Sequence, residues 1–138
     1  MKILTHQNAL LRWGITLTFT AFLAVLLLQS SGDPAVGPAA PPGDPTPARE
    51  LELTLGHIFG FGGLTLLWWW ALHSHLSTTQ AIIGALAFSL AFGVFTEYMQ
   101  ISVPDRNASW WDIFTNTAAA LGVAIVLLWW HRSPAIQR

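Results

Sequence analysis

The sequence contains no cysteine and few charged residues, and each shortage excludes a class of protein. Without cysteine the chain forms no disulfide, no Cys-ligated metal site and no thiol nucleophile. Only 9% of its 138 residues are charged, whereas an average soluble domain has about 25%. A water-soluble fold would have too few charges to cover its surface, since 53% of the residues are hydrophobic. A net charge of −1, with no basic patch and no acidic tail, leaves no electrostatic case for binding nucleic acid.

Apolar residues are concentrated in four segments of the chain, at 11–28, 53–72, 81–103 and 111–130. A helix needs about 20 apolar residues to cross a hydrocarbon core of about 30 Å. Lipid offers no partner to backbone groups, so such segments are helical, and the alternation typical of membrane β-strands is absent. The length suits one domain. The sequence therefore predicts an all-α, four-helix transmembrane bundle.

The basic residues predict how this bundle is oriented in the membrane. Four flank the first and last spans on the side of the termini, and two lie in the loops of the opposite side: Lys2, Arg12, Arg132 and Arg138, then Arg49 and Arg106. This split places both termini in the cytoplasm, and we expect a multi-pass protein of the inner (cytoplasmic) membrane. Because no small-x-small cleavage site follows the first span, we expect it to be a retained signal anchor.

The segment between the first two spans, residues 30–50, has six of the eight prolines and repeats Gly-Asp-Pro at 32–34 and 43–45. Such a composition does not support a helix or a packed core, so we expect an extended loop, partly in the polyproline II conformation. One interpretation is a solvated linker. The other is a strap that lies on a partner protein.

The eight tryptophans fall at the ends of the predicted spans, where indole rings prefer the membrane interface. Six would anchor the cytoplasmic interface and two the outer one: Trp13, Trp68, Trp69, Trp70, Trp129 and Trp130, then Trp110 and Trp111. His73 and His75 lie beside the first group and could hold a metal or a pigment. A spacing of two at a helix end points their rings apart, so solvation at the interface is the favoured interpretation.

Polar side chains collect at the outer end of the predicted bundle, where their cost in lipid calls for an explanation. Residues three or four apart share a helix face, as Glu97 and Gln100 do. The same spacing rule pairs Asp112 with Asn116 on the next span. The predicted polar outer cluster, structural or ligand-binding, has six members: His57, Glu97, Gln100, Arg106, Asp112 and Asn116.

Small residues accompany this cluster on the same helix faces. They are Gly56, Gly60, Gly63, Gly93, Ala119 and Ala120. Small faces let helices approach closely in membranes, so we expect the cluster to lie between helices rather than in lipid.

The cluster has three interpretations. In the structural one, Arg106 pairs with Asp112 or Glu97, while Asn116 and Gln100 bond across helices. In the second, the cluster is a pocket for a polar head group, open to the outer leaflet. In the third, Glu97 is the general base of an enzyme, but no nucleophile or metal-ligand spacing accompanies it. We therefore expect no catalysis, no metal and no cofactor.

The run from Glu97 to Asn116 resembles the signature of the VanZ-like family, which reads E-x-x-Q-x-x-x-P-x-R-x-x-S-x-x-D-x-x-x-N. The chain matches every specified position. Upstream, His57 with Phe61 and Leu64 is similar to the family's H-x-x-x-Y-x-x-L element, although phenylalanine replaces the usual tyrosine. The family often has Asp-Lys shortly before this histidine, where the chain has Leu53-Thr54. The resemblance covers about residues 53–125.

This resemblance implies a small multi-spanning membrane protein, in a family named for an association with glycopeptide (teicoplanin) resistance. The sequence leaves two main hypotheses. The first is a non-catalytic accessory or stabilising subunit of a larger membrane complex, of respiratory or photosynthetic type, with lipids and other proteins as partners. The second is a VanZ-like envelope protein whose outward polar pocket takes a lipid head group or serves a glycopeptide response. An enzyme acting on a lipid head group ranks below both.

Overall fold

The computed structural model describes residues 2–37, 39, 46–106 and 108–132, with side chains from residue 9 onward. It contains four helices: α1 (Lys2–Leu28), α2 (Pro47–Leu72), α3 (Thr78–Gln100) and α4 (Trp110–Arg132). Each is long and apolar enough to cross a membrane. The predicted all-α, four-helix transmembrane bundle is confirmed for the described part of the chain, which has no strand.

Local signals explain where two of the helices begin. The Thr46 side chain accepts a hydrogen bond from the backbone N–H of Arg49, and Pro47 occupies the first turn of α2, where its missing N–H has no consequence. Before α3, the Ser77 hydroxyl and the Gln80 side chain form a reciprocal capping box. Both caps satisfy N–H groups that have no partner within the helix.

All four helices begin before the predicted spans, at Lys2, Pro47, Thr78 and Trp110 rather than at residues 11, 53, 81 and 111. The α2 helix begins at Pro47, within the segment expected to be an extended loop, so that expectation is wrong for residues 47–50. The α3 helix ends at Gln100, not at residue 103. The N–H groups of residues 101–103 donate to carbonyls three positions earlier, as in a 3₁₀ turn. The following Pro104 disfavours an α conformation at the residue before it.

The helices pack so that α2, α3 and α4 each contact the other two, while α1 lies against α2 and α3. One buried cluster joins α1 to α2 through Leu23, Leu27, Phe61 and Leu64. A Cβ at Gly60 would approach a Leu23 methyl carbon to 3.0 Å, so the absence of a side chain permits this contact.

The other predicted packing residues divide into two groups. A Cβ at Gly63 would meet the Phe19 ring at 3.3 Å, and one at Gly93 would meet the Phe61 ring at 3.2 Å, so both glycines accept an aromatic ring. Ala120 is fully buried, and Ala119 packs against the first cluster. Gly56 differs, because a Cβ there would meet nothing within 4 Å.

Buried hydroxyl groups also connect the helices. The Thr16 hydroxyl donates to the Leu67 carbonyl across the α1–α2 contact at 3.1 Å. The Thr65 and Ser89 hydroxyls lie 2.9 Å apart between α2 and α3. In a membrane such bonds contribute about 0.6 kcal/mol on average, so they add to apolar packing rather than replace it.

The two ends of the bundle differ in charge. We call the end where α1 and α3 finish the polar end, and the end where α2 and α4 finish the tryptophan end. All described acidic residues lie at the polar end: Asp33, Glu50, Glu52, Glu97, Asp105 and Asp112. Arg12 and Arg132 lie at the tryptophan end. Which end faces the cytoplasm stays a prediction; the Lys2 side chain and Arg138 lie outside the described residues.

The beginning of the proline-rich segment is folded onto the bundle. The Gln29 side chain donates to the Val36 carbonyl and accepts from the Val36 N–H, both at 2.9 Å, which closes a compact loop. The Ser31 hydroxyl donates to the Asp105 carbonyl at 2.6 Å and ties this loop to the α3–α4 connection. Residues 38 and 40–45, which include the second Gly-Asp-Pro, lie outside the described residues.

Candidate functional site

The carboxyl end of α1 is held by two side chains from the α3–α4 region. The last carbonyls of a helix have no partner within it. The Gln100 amide donates to the Leu27 carbonyl at 3.0 Å. The Arg106 guanidinium donates from Nε to the Gln29 carbonyl at 3.2 Å and from a terminal nitrogen to the Leu26 carbonyl at 3.0 Å. A cation at this position also complements the negative end of the helix dipole.

The turn before Arg106 aims its side chain at α1. The Arg106 N–H donates to the Val103 carbonyl across Pro104 and Asp105. Asp105 has a φ of 59°, the left-handed conformation that follows proline in a type II turn. Aspartate tolerates this conformation better than most residues with a side chain. The Pro-Asp pair therefore suits the sharp reversal that places Arg106.

Glu97 holds the amino-terminal end of α4. It is 3% exposed, and its Oε2 accepts the Ser109 N–H at 3.0 Å. The Ser109 hydroxyl accepts the Trp111 N–H at 3.2 Å, so Ser109 caps α4 while Glu97 binds the cap itself. A carboxylate here faces the positive end of the α4 dipole.

His57 connects α2 to α4. Its Nδ1 atom lies 2.9 Å from Oδ1 of Asn116, and its Nε2 atom lies 3.9 Å from a carboxylate oxygen of Asp112. His57 and Asn116 are buried, whereas the Asp112 side chain is 26% exposed. The Asn116 Nδ2 atom is buried without a hydrogen-bond partner among the described residues. These three side chains join α2 to α4, which run parallel, and the Asn116 amide N–H group remains a donor without a described acceptor.

The six predicted cluster residues thus lie at one end but form three separate connections. Together with Ser109 we call them the polar clamp. The structural interpretation paired Arg106 with Asp112 or Glu97. Across the described residues the ion pairs are instead Arg49–Glu52 and His57–Asp112. Burial lowers the pKa of Arg106, and the nearby Asp112 partly offsets that effect. Arginine stays protonated despite such a shift.

Sequence reasoning did not identify the acceptors that complete the clamp. They are backbone carbonyls of residues 26, 27 and 29, which every residue type carries and which therefore leave no mark in the sequence. A general rule was the one available indication: the carbonyls in the last turn of any helix have no partner within the helix, so those of α1 need donors from elsewhere. Ser109 was part of the matched signature, but its role as the cap of α4 was not predicted.

The tryptophans take more than one role. Trp110, Trp111, Trp129 and Trp130 are exposed on the bundle surface, as an interface anchor would be. Two others pack between helices, where they were not expected. Trp68 stacks on Phe88 at 3.6 Å and donates to Thr20, and Trp69 packs against a buried α3–α4 cluster.

The remaining two tryptophans contact polar partners at the tryptophan end. The Trp13 indole donates to His75. The Arg12 guanidinium lies over the Trp70 ring and also donates to the Trp70 carbonyl. His75 is thus directed towards α1, whereas the His73 ring stacks on Trp69, so the two histidines face different neighbours. In the described part of the chain no three His, Cys, Asp or Glu side chains are grouped to hold a metal ion.

An apolar groove of about 470 Å³ runs along the outer surface between α2 and α4. Its lining is almost entirely carbon, and three of the lining residues are glycines. The lining residues are Ile58, Phe59, Gly62, Gly63, Leu66, Ala119, Gly122, Val123, Val126 and Leu127. The groove begins one residue after His57 on α2 and three after Asn116 on α4. It is therefore separate from the polar clamp.

Comparisons with protein-family models, with curated proteins and with solved structures find no significant match for this chain.

Proposed function

We propose that the protein is a small non-catalytic accessory subunit that stabilises a larger membrane complex, of respiratory or photosynthetic type. The observation that carries this proposal is the inward direction of the polar clamp. Glu97, Gln100 and Asn116 are each at most 3% exposed, and each is bonded to another part of the bundle. Side chains used in this way set the positions of four helices and leave little surface for a substrate.

The surface that remains suits contact with other proteins. The loop closed by Gln29 and Val36 is fixed to the α3–α4 connection through Ser31, so the proline-rich segment leaves the bundle from a defined point. It returns at Thr46, which caps α2. Polyproline II segments lose little conformational entropy when they dock, so a segment anchored at both ends is suited to lie along a partner.

Replacing residues 37–45 with a Gly/Ser segment of equal length tests this function. The replacement leaves the Gln29–Val36 loop and the Thr46 cap intact, so insertion and thermal stability should not change. We expect a sharp loss of co-eluting larger proteins when the variant is purified from its native membrane in mild detergent. The readout is the amount of each co-eluting protein, measured by quantitative mass spectrometry.

A variant with the order of residues 37–45 changed but all prolines kept is the matched control. It should recover most of the co-eluting proteins if polyproline II character is what the partner recognises. Full co-elution of the Gly/Ser variant, or a native protein that elutes alone, contradicts the accessory role.

A second candidate is a VanZ-like envelope protein that takes a polar head group at the polar end. The match to the signature and two features of the clamp favour it: Asp112 is partly exposed, and the buried Asn116 Nδ2 has no described partner. Its test is teicoplanin susceptibility of cells that carry Asp112→Asn, with the exposed Glu50→Gln as control. Equal susceptibility of the two variants contradicts this candidate.

A further inference from the structure

The groove between α2 and α4 continues into a group of aromatic rings at the tryptophan end. Val123 and Leu127 line the groove and also belong to the packing around Trp69. The Trp69 ring lies 5.5 Å from the His73 ring and 5.7 Å from the His131 ring, centroid to centroid. The groove is therefore followed, along the same two helices, by two imidazoles.

Helical spacing supports this continuity. His73 is seven residues after Leu66 on α2, and His131 is four residues after Leu127 on α4, so each histidine shares a face with a groove residue. The two imidazole centroids are 6.1 Å apart, so the rings lie beside each other where α2 and α4 end. We call the groove together with these two rings the α2–α4 seam. A molecule with an apolar chain and a polar head would match the seam along its length.

The head group this seam fits is an anion that accepts hydrogen bonds. Imidazole and indole N–H groups are donors, and the buried Trp69 Nε1 has no acceptor among the described residues. The described acidic side chains all lie at the opposite end of the bundle, whereas Arg12 and Arg132 lie at this one. Phosphate oxygens are thus complementary to the seam in both hydrogen bonding and charge.

We infer that an anionic phospholipid binds along the α2–α4 seam, with one acyl chain in the groove and its phosphate beside His73 and His131. A Cβ at Gly122 would meet nothing within 4 Å, so the absence of a side chain there leaves room for the chain beside α4. This site is separate from the polar clamp and goes beyond the accessory role. A partner's transmembrane helix would fill the groove as well, but the donors at its end favour a lipid.

Filling the groove tests the acyl part of the proposal. Gly122 lines the groove and a Cβ there would meet nothing within 4 Å, so we expect the side chain of Gly122→Leu to occupy the groove. Gly14 is equally open and lies on α1, which contributes no residue to the groove, so Gly14→Leu is the matched control. Each protein is placed in nanodiscs of phosphatidylcholine with a minor fraction of phosphatidylglycerol. Native mass spectrometry then counts the retained lipids.

We expect the native protein and Gly14→Leu to retain phosphatidylglycerol over phosphatidylcholine by about tenfold. The choline cation of phosphatidylcholine offsets the attraction between its phosphate and the basic side chains at this end, which is about 1 kcal/mol for each. Gly122→Leu should lose retention of both lipids at this site. The double variant His73→Ala/His131→Ala removes donors to the phosphate that both lipids carry, so it should weaken retention of both lipids by about tenfold, the effect of one charge-assisted hydrogen bond. His75→Ala removes an imidazole that contacts Trp13 instead, and should retain both lipids as the native protein does.

Three results would overturn the inference. In the first, Gly122→Leu and Gly14→Leu retain phosphatidylglycerol equally. In the second, glycerol phosphate displaces the lipid, which would show an anion site that does not use the groove. In the third, Gly122→Leu leaves lipid retention unchanged but removes a co-purifying protein, which would assign the groove to a partner helix.

Discussion

Replacing Arg106 with alanine is expected to lower the free energy of unfolding by about 3 kcal/mol, because hydrogen bonds to a charged group contribute about 1.5–3 kcal/mol each. The change removes two donors from the end of α1 and leaves the Leu26 and Gln29 carbonyls without them. The free energy is measured by reversible denaturation in mixed micelles. The α1 helix should also become accessible to protease near residue 30.

Two further variants make this result specific. Arg106→Lys should recover less than half of the loss, because one ammonium group does not reproduce the planar fork that reaches both carbonyls. Arg49→Ala removes an arginine from an exposed pair with Glu52 and should cost less than about 0.5 kcal/mol. Equal losses for Arg106→Ala and Arg49→Ala would show that Arg106 does not hold α1.

Replacing Glu97 with alanine is expected to cost about 2 kcal/mol, because a buried donor left without a partner costs about 1–3 kcal/mol. The donor is the Ser109 N–H at the start of α4. Glu97→Gln keeps an acceptor oxygen at this position but removes the negative charge. It should lose less than about 1 kcal/mol, which is what a charge near a helix terminus contributes through the helix dipole. Denaturation in mixed micelles measures both.

Glu50 is the control for this series, since it is an exposed carboxylate in the first turn of α2. Glu50→Ala should have an effect smaller than that of Glu97→Ala. A Glu97→Gln variant as unstable as Glu97→Ala would mean that the negative charge, and not the bond to Ser109, is what the fold uses.

The helices and the grouping of the polar residues could be predicted from the sequence because both depend on local patterns. Apolar length identifies a membrane span, and the alternating direction of successive spans brings residues 57, 97 and 112 to one end. The start of α2 could have been predicted as well. Thr46 followed by Pro47 is a helix start signal, and it was outweighed by the prolines before it.

The partners of the clamp residues could not be predicted, because they depend on how α1 lies against the other helices. Arg106 has two carboxylates nearby, and charge alone suggests that it binds one of them. The unsatisfied carbonyls at the end of α1 are the stronger requirement, since lipid offers them no donor. Trp68 shows the same limit: its position at a span end predicts an interface anchor, but its ring packs between helices.

A cysteine pair tests most directly whether the end of α1 is seated on the α3–α4 connection. A Cβ at Gly32 would lie 2.8 Å from Oδ2 and 3.7 Å from Cγ of Asp105, so cysteines at both positions are close enough to form a disulfide. The chain has no other cysteine to compete. A protease site placed within residues 38–45 separates the two halves of the chain.

After oxidation in the native membrane and cleavage, we predict that the two fragments of Gly32→Cys/Asp105→Cys stay joined on a non-reducing gel. The control pair Gly14→Cys/Asp105→Cys places its cysteines at opposite ends of the bundle, too far apart to form a disulfide, so its fragments should separate. Fragments of Gly32→Cys/Asp105→Cys that separate as completely as those of the control would contradict the polar clamp.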